Sequence, residues 1–205
     1  MEVIRVGAVP STQDLARPLP VGSVVVADHQ TAGRGRLGRR WEAPAGSALL
    51  ASWVMRAHPL APIAAGVATA TACGDQIRLK WPNDLLLDGR KLGGILIERI
   101  GQKCVVGTGI NLHWAPPGAA QLNVDRDELL VRMERELTHW FGASSAEVCA
   151  TWRLRSDTLG RVVRVELPGE TFEGVAVDLA SDGSLIVGGR NVAAGDVIHL
   201  RDPLA

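Results

Sequence analysis

The chain has 205 residues with 22 basic and 22 acidic side chains, so its formal net charge at pH 7 is zero. This balance argues against a general nucleic-acid binder, because such proteins usually carry a broadly basic domain. The hydrophobic fraction of 46% and the charged fraction of 21% are ordinary for a globular protein with its own core. The length suits one sizeable domain together with a small one.

The sequence carries no sign of export or of membrane insertion. Residues 1–6 lack the arrangement of a signal peptide, and the most apolar window, residues 60–73, is too short and too alanine-rich to span a bilayer. The three cysteines are odd in number and have no CxxC spacing, which indicates neither a disulfide framework nor a zinc site. These observations predict a cytoplasmic protein without a membrane partner.

Taken in chain order, the first 155 residues mix strands and helices without regular alternation. The β-branched run 24–26 is typical of a buried strand, and Leu130, Met133 and Leu137 share one face of a long helix. Strands are predicted at 2–9, 23–27, 47–55, 77–80, 85–87, 91–100 and 105–112, and helices at 11–16, 59–73, 125–141 and 146–154. This order predicts an α+β fold with a mixed or antiparallel sheet.

From Gly160 the pattern changes to short strands separated by tight turns. Strands are predicted at 162–167, 171–177, 184–187 and 196–200, with turn signals such as Pro168-Gly169 and Asp182-Gly183 between them. About 45 residues of this kind predict a small SH3-like β-barrel. The predicted domains are therefore residues 1–157 and residues 158–205.

The most unusual stretch, residues 33–41, reads Gly-Arg-Gly-Arg-Leu-Gly-Arg-Arg-Trp. It matches the glycine spacing of a dinucleotide-binding motif, but no helix pattern follows Gly38, so we reject that interpretation. Taken alone, the stretch also fits a solvated surface or a nucleic-acid patch. Because arginine pairs with carboxylate and phosphate, and glycine lets backbone amides approach a ligand, the composition favours an anion-binding loop.

Two further constellations suggest that the arginine loop shares a pocket with strand ends. Residues 80–84 (Lys-Trp-Pro-Asn-Asp) form a corner, and a tight turn at Asp88-Gly89 would pair residue 86 with Lys91 near that corner. Taken alone, the corner is ordinary turn chemistry and Lys91 a solvated lysine. Glycines then interrupt two apolar strands, at 93–94 and at 107 and 109, where a ligand could approach the backbone closely.

Together these residues resemble the biotin–protein ligase family in order and spacing. The motifs are Ser11-Thr12, Gln30 with residues 33–41, residues 80–84, Lys91-Leu-Gly-Gly-Ile-Leu and Gly107-x-Gly-Ile-Asn-Leu. The resemblance implies a class II synthetase-like catalytic domain with a small C-terminal barrel. It also implies a two-step reaction: ATP and biotin form biotinyl-5′-AMP, and the biotinyl group then passes to one lysine of a biotin carboxyl carrier protein.

The resemblance also implies roles for particular residues and cofactors. The implied biotin contacts are Ser11, Thr12, Gln30, Gly33, Arg34, Lys91 and Gly94. The implied nucleotide contacts are Arg36, Trp41, Lys80, Asn83 and Asn111. Lys91, Arg36 and Asp84 are the implied catalytic residues. Mg²⁺ is expected with ATP, and Asn83 and Asp84 are the only candidates to touch it.

Two departures from the family pattern carry further expectations. Gln13 follows Ser11-Thr12 where the family often has asparagine, and only ten residues precede Ser11. The short N-terminus predicts a ligase without a DNA-binding domain and without DNA as a partner. We also expect residues 32–42 to be mobile without ligand and to order over the adenylate, because few of their side chains are apolar.

Two other functions stay open at this stage. A lipoate–protein ligase-like acyltransferase shares the general fold and chemistry, although the motifs at 33–41, 80–84 and 91–94 favour biotin. A non-catalytic nucleic-acid-binding module is disfavoured by the neutral net charge and the low aromatic fraction of 4%. The resemblance also leaves a homodimer open.

Overall fold

The computed structural model describes residues 1–200, and its larger part is a seven-stranded mixed sheet. In chain order the strands are β1 (Glu2–Val9), β2 (Ser23–Gln30), β3 (Ala48–Arg56), β4 (Arg78–Lys80), β5 (Asp84–Leu87), β6 (Arg90–Ile100) and β7 (Lys103–Asn111). Across the sheet they follow the order β1-β2-β3-β7-β6-β5-β4. Strands β1 and β2 run parallel, and the other neighbours in this sheet are antiparallel.

Helices cover one face of this sheet more completely than the other. The helices are α1 (Thr12–Ala16), α2 (Ala61–Cys73), α3 (Arg126–Gly142) and α4 (Ser145–Arg155). Leu49 and Trp53 of β3 belong to the core cluster formed with α2 and α3, whereas the alternate residues Leu50 and Val54 pack on the opposite face. Because side chains alternate along a strand, that opposite face is left to the short helix α1 and the arginine loop.

The hairpin of β5 and β6 contains a register shift that changes which side chains share a face. Leu86 pairs with Lys91, as predicted, but Leu85 pairs with Gly93, so β6 has one extra residue at this point. Leu92 is fully buried in the core beneath the sheet. Such a β-bulge redirects a side chain without breaking the rest of the ladder. Lys91 and Gly94 consequently lie on the same face, although their separation in sequence is odd.

The C-terminal part forms a second, five-stranded antiparallel sheet. Its strands are β8 (Val162–Leu167), β9 (Glu170–Leu179), β10 (Leu185–Val187), β11 (Arg190–Val192) and β12 (Asp196–His199), in the order β11-β10-β9-β8-β12. The alternation of buried Val163 and Val165 with exposed neighbours supplies one apolar face. The small sheet contacts the corner at residues 80–84, because the Trp81 N–H donates to Thr158 Oγ1 (3.0 Å) and the Trp81 indole donates to the Gly183 carbonyl (3.2 Å).

The predicted α+β architecture with a second small β-domain is confirmed, although several element bounds differ by a few residues. Strand β11 was not predicted, because its three residues follow Gly188-Gly189 and begin with the polar pair Arg190-Asn191. The last predicted strand ends at His199 rather than at residue 200. The final five residues of the predicted C-terminal domain, 201–205, lie outside the described residues. Within residues 1–200, no helix is long and apolar enough to cross a membrane.

Candidate active site

One cavity on the sheet face opposite α2 and α3 collects residues from all the predicted constellations. The predicted site residues that line it are Ser11, Thr12, Gln30, Arg34, Arg36, Trp41, Lys80, Asn83, Asp84, Lys91 and Gly94. They come from α1, from the end of β2, from the arginine loop and from the β4–β6 corner. The sheet order brings them together although they span 84 positions of the chain, from residue 11 to residue 94.

Gly33 and Asn111 do not line this cavity. Gly33 lies at the base of the loop, where a side chain would come within 2.4 Å of the Trp41 carbonyl oxygen. Asn111 is 2% exposed, and its Nδ2 donates to the carbonyl of Ala120 at 3.0 Å. The Nδ2 of Asn111 therefore anchors the segment that follows β7, whereas its Oδ1 has no partner within residues 1–200; the nucleotide contact that the resemblance implied stays a prediction.

The uncharged end of the cavity is built where α1 meets the end of β2. Ser11 caps α1 by accepting a hydrogen bond from the Gln13 N–H (3.3 Å), which turns the first helical side chains toward the sheet. Gln30 Oε1 then accepts from both the backbone N–H of Thr12 (2.8 Å) and its hydroxyl (3.0 Å). This end offers amide and hydroxyl groups without a formal charge, which suits a polar, neutral head group.

Two glycines form the floor of the cavity, and the Trp41 ring lies on them. Gly94 of β6 and Gly109 of β7 are cross-strand partners. A Cβ atom at Gly109 would lie 2.4 Å from Trp41 Cε2, and one at Gly94 would lie 3.7 Å from Trp41 Cζ3. The ring can therefore approach the sheet only because Gly109 has no side chain. The sequence predicted that a ligand would approach these glycines, whereas the group that lies on them here is the Trp41 ring of the chain itself.

The arginine loop is folded over the floor and reaches the small sheet. The Gly35 N–H donates to the Arg39 carbonyl (2.7 Å), and the Trp41 N–H donates to the Gly33 carbonyl (2.9 Å). Arg36 donates to Asn83 Oδ1 (3.4 Å) and to the Gly195 carbonyl (3.3 Å), and Arg39 forms an ion pair with Asp196. The loop thus links the β4–β5 corner to the small sheet. The expected mobility of residues 32–42 without ligand stays a prediction.

Lys91 and Asp84 meet at the cationic end of the cavity. Lys91 Nζ lies 2.7 Å from Asp84 Oδ1, and Asp84 pairs across the strands with Gly94. The bulge in β6 produces this contact, because it turns Lys91 to the face that carries Asp84 and Gly94. The sequence predicted that Lys91 would lie near the corner at residues 83–84, and the structure places it there.

Six cationic side chains line the cavity, and two of them have no carboxylate partner within residues 1–200. Arg34 pairs with Asp14, Arg39 with Asp196, Arg40 with Glu42 and Lys91 with Asp84. Arg36 and Lys80 form no such ion pair in this part of the chain. Burial lowers the pKa of the Arg36 guanidinium, and the nearby carboxylates of Asp196 and Asp84 oppose that effect. A desolvated, unneutralised guanidinium is the group most strongly attracted to an incoming anion.

Sequence reasoning missed several residues that line the cavity. Gln13 was noted only as a departure from the family pattern, and Ser52 was not singled out, although a serine inside the apolar run of β3 was a detectable signal. The small sheet adds Glu166 and the stretch 196–198. No local pattern connects these distant positions to the loop, so only the fold reveals them.

The cavity does not contain an obvious all-protein metal centre. Among residues 1–200, no group of three or more histidine, cysteine, aspartate or glutamate side chains could hold a metal ion. Asn83 Nδ2 donates to the Ile95 carbonyl (2.9 Å), which leaves Oδ1 directed to Arg36. Asn83 and Asp84 therefore offer two oxygen-bearing side chains, fewer than a dedicated cation site supplies.

Comparison with known proteins assigns the chain and its fold to one family. The biotin/lipoate A/B protein ligase family model matches residues 6–114, and the biotin protein ligase C-terminal domain model matches residues 158–200. The biotin–[acetyl-CoA-carboxylase] ligase of Mycobacterium tuberculosis is 40% identical over 88% of this chain and 80% of its own length. The bifunctional ligase/repressor BirA of Escherichia coli is 30% identical over 82% of this chain, and the match spans 62% of BirA.

Similarity to solved structures extends over nearly the whole chain. The biotin protein ligase from Aquifex aeolicus, determined in complex with biotin and ATP, superposes with a TM-score of 0.85 at 25% sequence identity. The superposition covers 98% of this chain and 99% of that one. Together with the cavity and the two matching family models, this similarity shows that the chain belongs to the biotin protein ligase family.

Proposed function

We propose that the chain is an ATP-dependent ligase that converts biotin to biotinyl-5′-AMP and transfers the biotinyl group to a lysine of a biotin carboxyl carrier protein. The observation that carries the proposal is the composition of the cavity lined by the arginine loop and the glycine floor. Its neutral end, with Thr12 and Gln30, suits a ureido head group, and its cationic end, with Arg36, Lys80 and Lys91, suits a carboxylate beside a triphosphate. The names of the relatives support the same pair of substrates.

The first step requires two anions to approach each other. A biotin carboxylate oxygen attacks the α-phosphorus of ATP, a new C–O–P linkage forms, and the P–O bond to pyrophosphate breaks. Arg36 is the proposed catalytic residue that neutralises this approach, since its guanidinium is half-buried and has no carboxylate partner within residues 1–200. Fixed positive charge in a partly desolvated site stabilises the charge that develops in the transition state.

Lys91 and Asp84 are the proposed catalytic pair for the reacting carboxyl group. The ammonium of Lys91 adds a compact positive charge at the glycine floor, and the 2.7 Å contact with Asp84 fixes its position. In the second step the acceptor lysine attacks the acyl carbon as a neutral amine, and AMP leaves with the bonding electron pair. We assign to the carboxylate of Asp84 the role of accepting the proton that the amine loses.

Asn83 and Asp84 are the residues that would hold Mg²⁺ together with the phosphates of ATP. They fit this limited role, because Mg²⁺ prefers oxygen ligands and is commonly bound through one or two protein oxygens plus substrate phosphates. When bound, the ion would neutralise phosphate charge and favour pyrophosphate as the leaving group. Removal of divalent cations should therefore abolish adenylate formation while leaving biotin binding measurable.

The remaining site assignments extend this proposal. Ser11, Thr12, Gln30, Arg34 and Gly94 are proposed biotin contacts, and Trp41, Lys80 and Asn83 are proposed nucleotide contacts. We propose that Gly33 and Asn111 act indirectly, through the loop and the segment after β7 that they hold. The proposed division into residues 1–157 and 158–205 is supported by the two separate sheets and by the positions of the two family models.

The surroundings of the protein also belong to the proposal. Cys73, Cys104 and Cys149 are buried free thiols, which supports the reducing cytoplasm as its location. Burial raises the pKa of Cys73 to about 12 and that of Cys104 to about 11, so these thiols are held protonated. The neutral net charge supports a protein that acts without DNA. A homodimer stays a prediction, which sedimentation equilibrium can check.

Biotin-dependent exchange of pyrophosphate into ATP tests the first step, and transfer of labelled biotin to a carrier domain tests the second. Wild-type chain should show both activities, and Arg36→Ala should lose at least about tenfold in exchange. Exchange that depends on lipoate and ignores biotin would favour the lipoate ligase alternative. Salt-dependent RNA binding without any exchange would favour the nucleic-acid module.

A further inference from the structure

Four polar side chains form a continuous hydrogen-bonded chain at the neutral end of the cavity. The chain runs from Gln13 through Ser52 and Thr12 to Gln30, with successive contacts of 3.0, 2.8 and 3.0 Å. Gln13, Ser52 and Thr12 are no more than 3% exposed. All four side chains also line the cavity, so the donors and acceptors that they leave free are the ones that a ligand can contact.

Backbone groups fix the direction of both amides in this chain. The carbonyl of Val105 can only accept, so Gln13 turns its Nε2 to it (3.2 Å) and its Oε1 toward Ser52. The N–H of Thr12 can only donate, so Gln30 turns its Oε1 to Thr12 (2.8 Å). Gln30 Nε2 donates to no group within residues 1–200 and is available to a ligand.

The two hydroxyls between these amide oxygens do not carry enough protons for the contacts they make. There are three oxygen–oxygen contacts in the chain, and Ser52 and Thr12 contribute one proton each. If the Ser52 hydroxyl donates to Gln13, then the single hydroxyl proton of Thr12 is the only one left for two contacts, one with Ser52 Oγ and one with Gln30 Oε1. The chain is therefore one proton short, and with Ser52 donating to Gln13 and Thr12 donating to Gln30 the contact between the two hydroxyl oxygens has no proton.

We propose that Gln13 and Ser52 are positioning residues that use this shortage to make Thr12 and Gln30 accept an N–H from the head group of the acyl substrate. This inference rests on the proposed function and specifies how the same site recognises its substrate. An N–H from the ligand then donates to the lone pair of Thr12 Oγ1 that receives no proton from Ser52, and Gln30 Nε2 donates to an adjacent carbonyl. A cyclic urea carries both groups, whereas the dithiolane ring of lipoate carries neither.

A glycine of the sheet is required for this arrangement. A Cβ atom at Gly107 would lie 2.5 Å from Gln13 Oε1, so a larger residue would displace the amide from Ser52. Gly107 is the cross-strand partner of Ser52, which places the glycine, the serine and the glutamine next to one another. Gly107 thus leaves room for the Gln13 amide, whereas Gly109, the other glycine of β7, leaves room for the Trp41 ring.

The test compares biotin with two analogues in which one ureido N–H or the other is replaced by a ring oxygen. For the wild-type chain, the analogue that presents oxygen to Thr12 should bind about 10- to 100-fold more weakly by calorimetry, because acceptors then face one another. The KM in the exchange assay should rise with the Kd, and kcat at saturation should change little. Equal affinity for biotin and both analogues would overturn the proposal.

Gln13→Leu provides the decisive variant, because it removes the acceptor at the far end of the chain. Ser52 can then donate to Thr12 and Thr12 to Gln30, so two protons satisfy two contacts. We expect biotin to bind about 3- to 10-fold more weakly, and the penalty for the analogue to shrink to about threefold. Gln102→Leu makes the same chemical change at an exposed turn and should keep the wild-type penalty.

Ser52→Ala is a second variant that relieves the same shortage from another position, and it decides the outcome if Gln13→Leu fails to fold. A wild-type penalty that persists in both variants would show that the chain does not set the polarity of Thr12. That result would leave biotin-dependent exchange intact. Absence of biotin-dependent exchange in the wild-type chain would instead contradict the proposed function itself.

Discussion

The floor and the lid of the cavity are constructed in different ways. The floor consists of β6 and β7, which pair with each other along their length, and β7 is also paired with β3. The lid is the arginine loop, residues 33–41. It is held by a few backbone hydrogen bonds and by side-chain contacts with Asn83, Gly195 and Asp196. The sheet can therefore fix the position of a reacting group closely, whereas the loop chiefly contributes charge.

The largest effect should come from a cation that the sheet positions. Lys91→Ala removes the charge that Asp84 holds at 2.7 Å, and we expect exchange to fall by about 100- to 1,000-fold. Arg90→Ala changes an exposed cation on the same hairpin and should alter the rate by less than about twofold. A loss below about fivefold in Lys91→Ala would contradict the role given to the floor.

A smaller effect should follow when the fit between floor and lid is disturbed. Gly109→Ala places a methyl group 2.4 Å from the Trp41 ring, which must move, at a cost of about 1–3 kcal/mol. Exchange should drop by about tenfold, and trypsin should cleave the arginine loop faster. Trp41→Ala in the same chain should restore part of the loss in stability, because the two changes share one contact.

Gly142→Ala is the matched control for that experiment, since a Cβ atom there meets nothing within 4 Å. It should leave both exchange and tryptic cleavage near their wild-type values. Equal effects of Gly109→Ala and Gly142→Ala would mean that the contact between Trp41 and the floor does not hold the lid.

At acidic pH, we expect the stability of the protein to depend on His199, at the junction between the β4–β5 corner and the small sheet. Burial, reinforced by the charge of Lys80, lowers the pKa of His199 to about 4, below its unfolded value of about 6.5. As the pH falls from about 6.5 to 4, the unfolded chain binds a proton that the folded chain refuses, so stability is lost in this window. Between pH 7 and pH 5, the Tm of the wild-type chain should therefore fall by roughly 2–4 °C more than the Tm of His199→Gln.

The outcome of that measurement also bears on the corner itself. His199 Nε2 lies 3.1 Å from Thr158 Oγ1, which accepts from the backbone N–H of Trp81. If both proteins lose the same Tm on acidification, then another group accounts for the acid sensitivity. Exchange at pH 7 should be little changed by the substitution, since the imidazole does not line the cavity.

The smallest effect should come from the exposed ion pair that ties the lid to the small sheet. The Arg39 side chain is 67% exposed, and pairs of this kind contribute little because water and salt screen them. Arg39→Ala should change exchange by no more than about threefold, with the difference vanishing at high salt. A loss comparable to that of Lys91→Ala would mean that this exposed ion pair contributes to catalysis as much as the cation held by the sheet.

The sequence was most informative where chemistry and local spacing coincide. The tight turn at Asp88-Gly89 predicted that residue 86 would face Lys91, and the structure has that pairing. The extra residue at Leu92 was not predictable, because a bulge leaves no mark in a short apolar strand. Glycines in β6 and β7 predicted close approach, but not that the approaching group would be Trp41.

The limits of sequence reasoning appear where contacts join distant parts of the chain. The amide of Asn111 could recognise the edge of a base, yet its Nδ2 donates to the carbonyl of Ala120. The position of Ala120 depends on the path of the loop after β7, which the sequence does not reveal. Asp196 reaches the arginine loop across 157 positions, and no periodicity encodes that meeting. Ser52 and Gln13 each fit an ordinary local role, and they become informative only once their hydrogen-bond partners are known.

Because of the bulge in β6, the number of residues in the β5–β6 hairpin determines which side chains face the cavity. Lys91 and Gly94 point into the cavity while Leu92 and Gly93 between them turn toward the core, so the number of residues from turn to floor decides whether the lysine is present in the cavity at all. One residue inserted or removed between 89 and 93 would turn Lys91 away from that face even though Lys91 itself is kept. The length of this hairpin is therefore constrained as strictly as the identity of Lys91.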